Sequence, residues 1–133
     1  RELQLRRDDA LHEMYLTAGK QVAVNLTTID YRHVDDDIKR ALDTSTGAYF
    51  DDFKQRSVAV VDSVKQQQSA SVGTVTEAGV ESANETTGVV LVAVKVHTEV
   101  GSGPPQRDRY WRVRLTMQKV GDSAKASKVE SIQ

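Results

Sequence analysis

Asp30, Tyr31 and His33 place a carboxylate, a phenol and an imidazole within four residues, the grouping that most invites a catalytic reading. In an apolar pocket the carboxylate or imidazole can have its proton affinity tuned, and the phenol can polarise a carbonyl. Spacings of one and three do not by themselves make side chains converge. The competing reading has Asp30 and His33 ending one helix and beginning the next, with Tyr31 packed in the joint.

Other candidate sites are weaker. The run Asp35-Asp36-Asp37 lacks the spaced ligands and glycine of a calcium loop. It reads instead as a solvated first turn matched to the helix dipole. His12 and His97 are isolated in sequence, so neither finds the second ligand of a zinc site, and the absence of cysteine removes thiolate ligands and disulfides. No Gly-x-Ser-x-Gly elbow or phosphate-binding glycine loop appears, so no metal or cofactor is expected. Asn25-Leu26-Thr27 and Asn84-Glu85-Thr86 match a glycosylation pattern short enough to arise by chance.

Arg107, Arg109, Arg112 and Arg114 make a local basic stripe, suited either to anionic headgroups or an acidic partner, or to a solvated outer face. Tyr49, Phe53 and Trp111, with Tyr31 and His33, could line a cavity; large aromatics also serve as plain core. The whole chain is nearly neutral, with 18 basic against 19 acidic residues, which argues against general nucleic-acid binding. Its 133 residues suffice for one core, and no apolar run is long enough to span a membrane.

The elements that must hold these side chains follow from apolar periodicity. Leu11, Met14, Ala18, Val22, Leu26 and Ile29 recur every three or four residues, predicting one helix over residues 1–29. At 1.5 Å per residue it would reach about 40 Å. Asp35 to Asp37 open a shorter helix with Ile38, Ala41 and Leu42, and Asp35/Lys39 and Asp36/Arg40 are spaced for exposed ion pairs. After Thr44-Ser45-Thr46-Gly47 a third helix carries Phe50, Phe53, Ser57, Val60, Val61 and Val64 on one side.

From Ser69 the period becomes two. Val72, Thr74, Thr76, Val80 and Ser82 predict a strand weakened by Gly73 and Gly79. Val89 to Val100 is the strongest strand, with Val90, Val92, Val94 and Val96 facing the core. Its other face, Val89, Leu91, Ala93, Lys95 and His97, is apolar at one end and invites partial cover by a partner or another part of the chain. Arg109 to Val120 puts Trp111, Val113, Leu115 and Met117 opposite Arg112, Arg114 and Thr116. The last strand, Lys125 to Ile132, looks thin, with Val129 and Ile132 as its substantial apolar residues. Strands of about 12 residues extend about 40 Å, the length of the first helix. The expectation is an α+β half-cone: a long N-terminal helix and two shorter ones on a curved four-stranded antiparallel meander.

Ala23-Val24-Asn25-Leu26-Thr27-Thr28-Ile29-Asp30-Tyr31-Arg32, followed by Val34-Asp35-Asp36-Asp37-Ile38-Lys39-Arg40, resembles the signature region of the Mce-associated membrane proteins of mycobacteria and related actinobacteria. Thr46 to Phe53, Thr74 to Glu81 and the Trp111 strand extend the resemblance across residues 23–120. It implies an NTF2-like (cystatin-like) fold. It also implies a single extracytoplasmic domain over residues 1–133, on the periplasmic side of the cell membrane. Residues 1–22 would form a stalk from one transmembrane helix upstream of Arg1.

The function so implied is non-enzymatic: an accessory or scaffold subunit of an Mce-type lipid importer, with Mce proteins as partners and lipid as a further one. Two copies could also pair through the outer sheet face. Because cone-shaped NTF2-like folds elsewhere host isomerases and dehydratases, the alternatives are an enzyme using Asp30, Tyr31 or His33, or a lipid-binding module. For those, Tyr31, His33, Tyr49, Phe53 and Trp111 are the cavity candidates, and Arg109, Arg112 and Arg114 the partner or headgroup surface.

Overall fold

The computed structural model describes residues 1–133. Helix α1 (Glu2–Thr27) leads into a short strand β1 (Ile29–Asp30), one 3-10 turn (Tyr31–His33), α2 (Val34–Asp43) and α3 (Gly47–Gln67). Strands β2 (Ser69–Ala83), β3 (Thr87–Val100), β4 (Arg109–Val120) and β5 (Ser123–Ser131) complete one antiparallel sheet in the order β1-β2-β3-β4-β5. The expected α+β meander is present, with five strands rather than four.

The extra strand comes from residues that periodicity assigns to the first helix. The helix stops at Thr27, and Ile29 and Asp30 pair with Ser71 and Ala70. Thr27 and Thr28 explain the stop, since β-branched hydroxyl residues are weak helix formers that readily bond nearby backbone. Thr27 Oγ1 donates back to the Ala23 carbonyl at 2.7 Å, while Thr28 Oγ1 accepts the Gly73 N–H at 3.1 Å.

Helix α1 fills the concave side of the sheet. Leu11, Tyr15, Ala18, Val22 and Ala23 form one cluster with Val90, Val92, Val94, Val113, Leu115 and Met117. Tyr15, absent from the predicted stripe, is fully buried, and its hydroxyl donates to the Asn84 carbonyl at 2.7 Å. Close approach needs missing side chains: a Cβ on Gly88 would lie 2.6 Å from Tyr15 Cγ, and one on Gly19 would lie 2.8 Å from Val90 Cγ1. The seemingly thin β5 packs for the same reason, because Ala124 and Ala126 are buried beneath the helix. Its outer edge is tied to the α2–α3 connection, where Thr46 N–H donates to Ala126 O and Ala126 N–H to Thr44 O, both at 2.8 Å.

The expected β2 strand is present, and burial shows which of its faces meets the core. Val72, Thr74 and Thr76 are exposed, whereas Gly73 is buried and Val75 packs on the core. A bulge between Val75 and Glu77 then shifts the alternation, so that Ala78 and Val80 face inward opposite Val92 and Val90. A period-two reading cannot carry its phase through an inserted residue.

Helices α2 and α3 build a second cluster from Val34, Ile38, Ala41 and Phe53, with Leu26, Ile29, Val60, Val61 and Val64 packed around it. Of the stretch 1–22 expected as a stalk, Leu11, Tyr15, Ala18 and Val22 lie on the sheet, while residues 1–10 are all exposed. No helix is long and apolar enough to cross a membrane. Both glycosylation-pattern asparagines are engaged. Asn25 is buried and donates to Thr44 Oγ1 at 3.2 Å, and Asn84 Oδ1 accepts the N–H groups of Thr86 and Thr87, each at 2.9 Å.

Candidate functional site

The Asp30, Tyr31 and His33 group is a structural junction. Asp30 caps the 3-10 turn by accepting the Arg32 N–H at 2.9 Å, and its carboxylate also takes the Arg32 guanidinium. The side-chain bond from Arg32 is the chief reason its pKa falls from 3.8 to about 2. The Arg32 guanidinium lies 5.7 Å from the Tyr31 ring centre, covering part of the ring.

The joint is completed by a residue that the sequence reading placed in solvent. Asp37 is 1% exposed. It accepts the Asp30 N–H at 2.9 Å and both terminal nitrogens of Arg40 at 3.0 and 2.9 Å, and His33 Nδ1 lies 3.0 Å away. The solvated acidic turn therefore has to be corrected for Asp37, and the expected Asp36/Arg40 pair is replaced by Asp37/Arg40. Asp35 reaches Lys65 rather than Lys39, at 3.7 Å. The spacing Val34, Asp37, Ile38, Ala41 carried the signal, since Asp37 falls on the same helix face as the buried apolar residues.

Asp30, Tyr31 and His33 are not among the residues lining the four principal cavities. Tyr49, Phe53 and Trp111 are. With Leu26, Arg56, Val129 and Ser131 they line a cavity of about 320 Å³ beneath α3. Tyr49 and Phe53 stack with ring centres 6.0 Å apart, and burial raises the Tyr49 pKa. Trp111 is half-buried, and its indole N–H donates to Ser131 Oγ at 2.7 Å.

A larger cleft of about 560 Å³ adjoins this one, sharing Leu26 and Trp111 and running between the start of α3's C-terminal turn and the ends of β2, β3 and β4. Core side chains fill the cone under α1, but this end is open. Arg109 lines the cleft, so the basic stripe is split between two faces. Arg112 borders a shallow depression of about 520 Å³ on the convex face with Glu77, Leu91, Ala93 and Ile132. Arg114 is committed to Glu81, at 3.2 and 3.3 Å.

His97 is also not isolated in space. Its Nδ1 lies 2.8 Å from Asp108 and its Nε2 3.5 Å from Glu99, and these two acceptors, Asp108 foremost, raise its pKa. Asp108 sits beyond a ten-residue reach in sequence, and the β3–β4 pairing brings it back.

A long helix packed into a curled antiparallel sheet, with an open cleft at one end, defines an NTF2-like α+β cone. The chain belongs to the family described as "Uncharacterized protein Rv1363c/MT1408-like", whose profile matches residues 3–133. It is 36% identical over 118 residues to "Uncharacterized protein Rv1363c" of Mycobacterium tuberculosis (strain ATCC 25618 / H37Rv), covering 89% of this chain and 45% of that protein. The chain thus spans about half the length of the curated relative it matches. Among solved structures it is similar to the periplasmic domain of DotI, with a TM-score of 0.72, 15% identity, and 88% and 91% of the two chains covered. An IcmL-like type IV secretion system protein from Legionella pneumophila gives a TM-score of 0.62 at 11% identity, covering 89% and 91%. An Ntf2-like protein involved in plasmid conjugation gives 0.55 at 10% identity, covering 89% of this chain and 47% of that one. At these identities the likeness establishes the fold.

Proposed function

We propose that this chain is the envelope-side domain of a non-enzymatic accessory subunit, anchored by one transmembrane helix upstream of Arg1, that helps assemble an Mce-type lipid importer. Residues 1–133 act as its single periplasmic domain, and the exposed first turns of α1 serve as the stalk. The observation that carries the reading is the convex sheet face. Leu91, Ala93 and Ile132 form a shallow apolar depression there, edged by Arg112 and Glu77, while α1 packs on the opposite face. Such a mixed apolar and charged patch suits a protein partner. The Asp30 junction supports the same reading, because its groups are held by Arg32, Arg40 and the backbone rather than facing a cavity.

A second reading is favoured by the likeness to the DotI periplasmic domain and to proteins described as belonging to type IV secretion or plasmid conjugation. In it the same surface serves another multisubunit envelope machine. Both are tested by recovering the full-length protein from solubilised membranes and identifying what comes with it. Co-recovery of Mce proteins, reduced several-fold by Leu91→Arg with an unchanged melting temperature, is the expected result. Recovery of secretion-type proteins instead moves the assignment to the second reading, and a protein that comes out alone sinks both.

A further inference from the structure

The open cleft is one-sided in charge. Ile29, Val64, Val96, Val100 and Trp111 give it an apolar side, Gln67, Ser69 and Gln106 an uncharged polar one, and Arg109, exposed at its edge, is the charged residue lining it. Ser71 and Thr98, also in the wall, bond to each other at 2.9 Å. No aspartate or glutamate lines this cleft or the adjoining aromatic cavity, where the charged residue is again an arginine, Arg56. Arg6, Arg7, Arg32, Arg40 and Arg114 lie within ion-pair distance of carboxylates, whereas Arg56 and Arg109, like Arg1, Arg107 and Arg112, have no such partner.

The geometry points to a binding site for a single-chain anionic amphiphile, with its carboxylate or phosphate on Arg109 and its chain laid along the apolar wall toward Trp111. A guanidinium presents a planar fork that matches either anion with two charge-assisted hydrogen bonds. The apolar side rewards burial of the chain. The volume of about 560 Å³ lies in the range of roughly 300 to 1,000 Å³ typical of small-ligand sites. This site is independent of the accessory role, which uses the convex face.

Trp111 is the sole tryptophan and lines the cleft, so its emission reports occupancy. The 133-residue chain is titrated with dodecanoate and with dodecyl phosphate, each below its micellar concentration, and binding is followed by Trp111 emission and by calorimetry. Saturable binding is expected, with dodecanol at least tenfold weaker than the better anion. Arg109→Gln should weaken that anion at least tenfold without changing the melting temperature, and Arg112→Gln on the convex face should leave it unchanged. The tighter of the two anions identifies the headgroup chemistry. The site is overturned if neither anion binds saturably, if dodecanol binds as well as they do, or if Arg109→Gln binds like the unaltered chain. A failed titration with intact co-recovery from membranes removes the cleft alone, and the reverse removes the accessory role alone.

Discussion

Asp37 gathers the Asp30 N–H, His33 Nδ1 and both terminal nitrogens of Arg40 around one buried carboxylate. Asp37→Ala leaves a half-buried N–H without its acceptor and frees Arg40, so it should cost about 2 to 3 kcal/mol in urea unfolding. An unchanged midpoint would mean that the junction contributes nothing. Asp30 adds a pH signature. Its folded pKa of about 2 lies below the ordinary 3.8, so its pairing with Arg32 contributes stability that is fully present above pH 4 and is lost as pH falls through about 2. Asp30→Asn should therefore flatten the stability curve between pH 4 and pH 2, measured by urea midpoints across that range. The residue types of this junction were legible in sequence, and so was its alternative role as a joint between two helices. The inward turn of Asp37 was not, because a run of three aspartates at a helix start satisfies the dipole whichever way each one points.

Trp111 separates two ways in which an element can use a large side chain. Val113, Leu115 and Met117 follow it on the same face of β4 and are fully buried under α1, whereas Trp111 stands beyond the end of that packing, between two cavities. Leu115→Ala should cost about 3 to 4 kcal/mol, and Trp111→Ala, which removes a half-exposed ring and one bond to Ser131, about 2 kcal/mol. Thermal or urea melts that place Trp111→Ala at or beyond Leu115→Ala would return the tryptophan to the core. The alternation of β3 and β4 was readable because uninterrupted strands keep their phase. In β2 the bulge after Val75 broke it, and in α1 the fully buried Tyr15 escaped the stripe because a tyrosine's polar tip obscures its apolar body. The small residues of β5 looked like weak packing. They are what lets α1 approach, as Gly19 and Gly88 do on its other side.

At the scale of the molecule, the long helix divides into a packed and an unpacked part, and the boundary can be placed from burial. Residues 1–10 are exposed, including Leu3 at 76% and Leu5 at 56%, and burial begins at Leu11. The contacts of this segment are solvated pairs such as Arg6 with Glu2 at 3.1 Å and Arg7 with Glu85 at 3.9 Å. Exposed pairs of this kind contribute at most about 1 kcal/mol, and often nothing measurable. Removing residues 1–9 should therefore leave the unfolding free energy within about 0.5 kcal/mol. Extending the deletion through Tyr15 takes away Leu11, Tyr15 and the anchor to the Asn84 carbonyl, and should cost several kcal/mol or prevent folding, since losing one buried aromatic already costs roughly 3 to 5 kcal/mol. Circular dichroism melts of the two truncations make the comparison directly. Equal losses in both would mean that the first turns belong to the domain. A sharp break between them would leave those turns free to act as the spacer that an envelope-side scaffold needs.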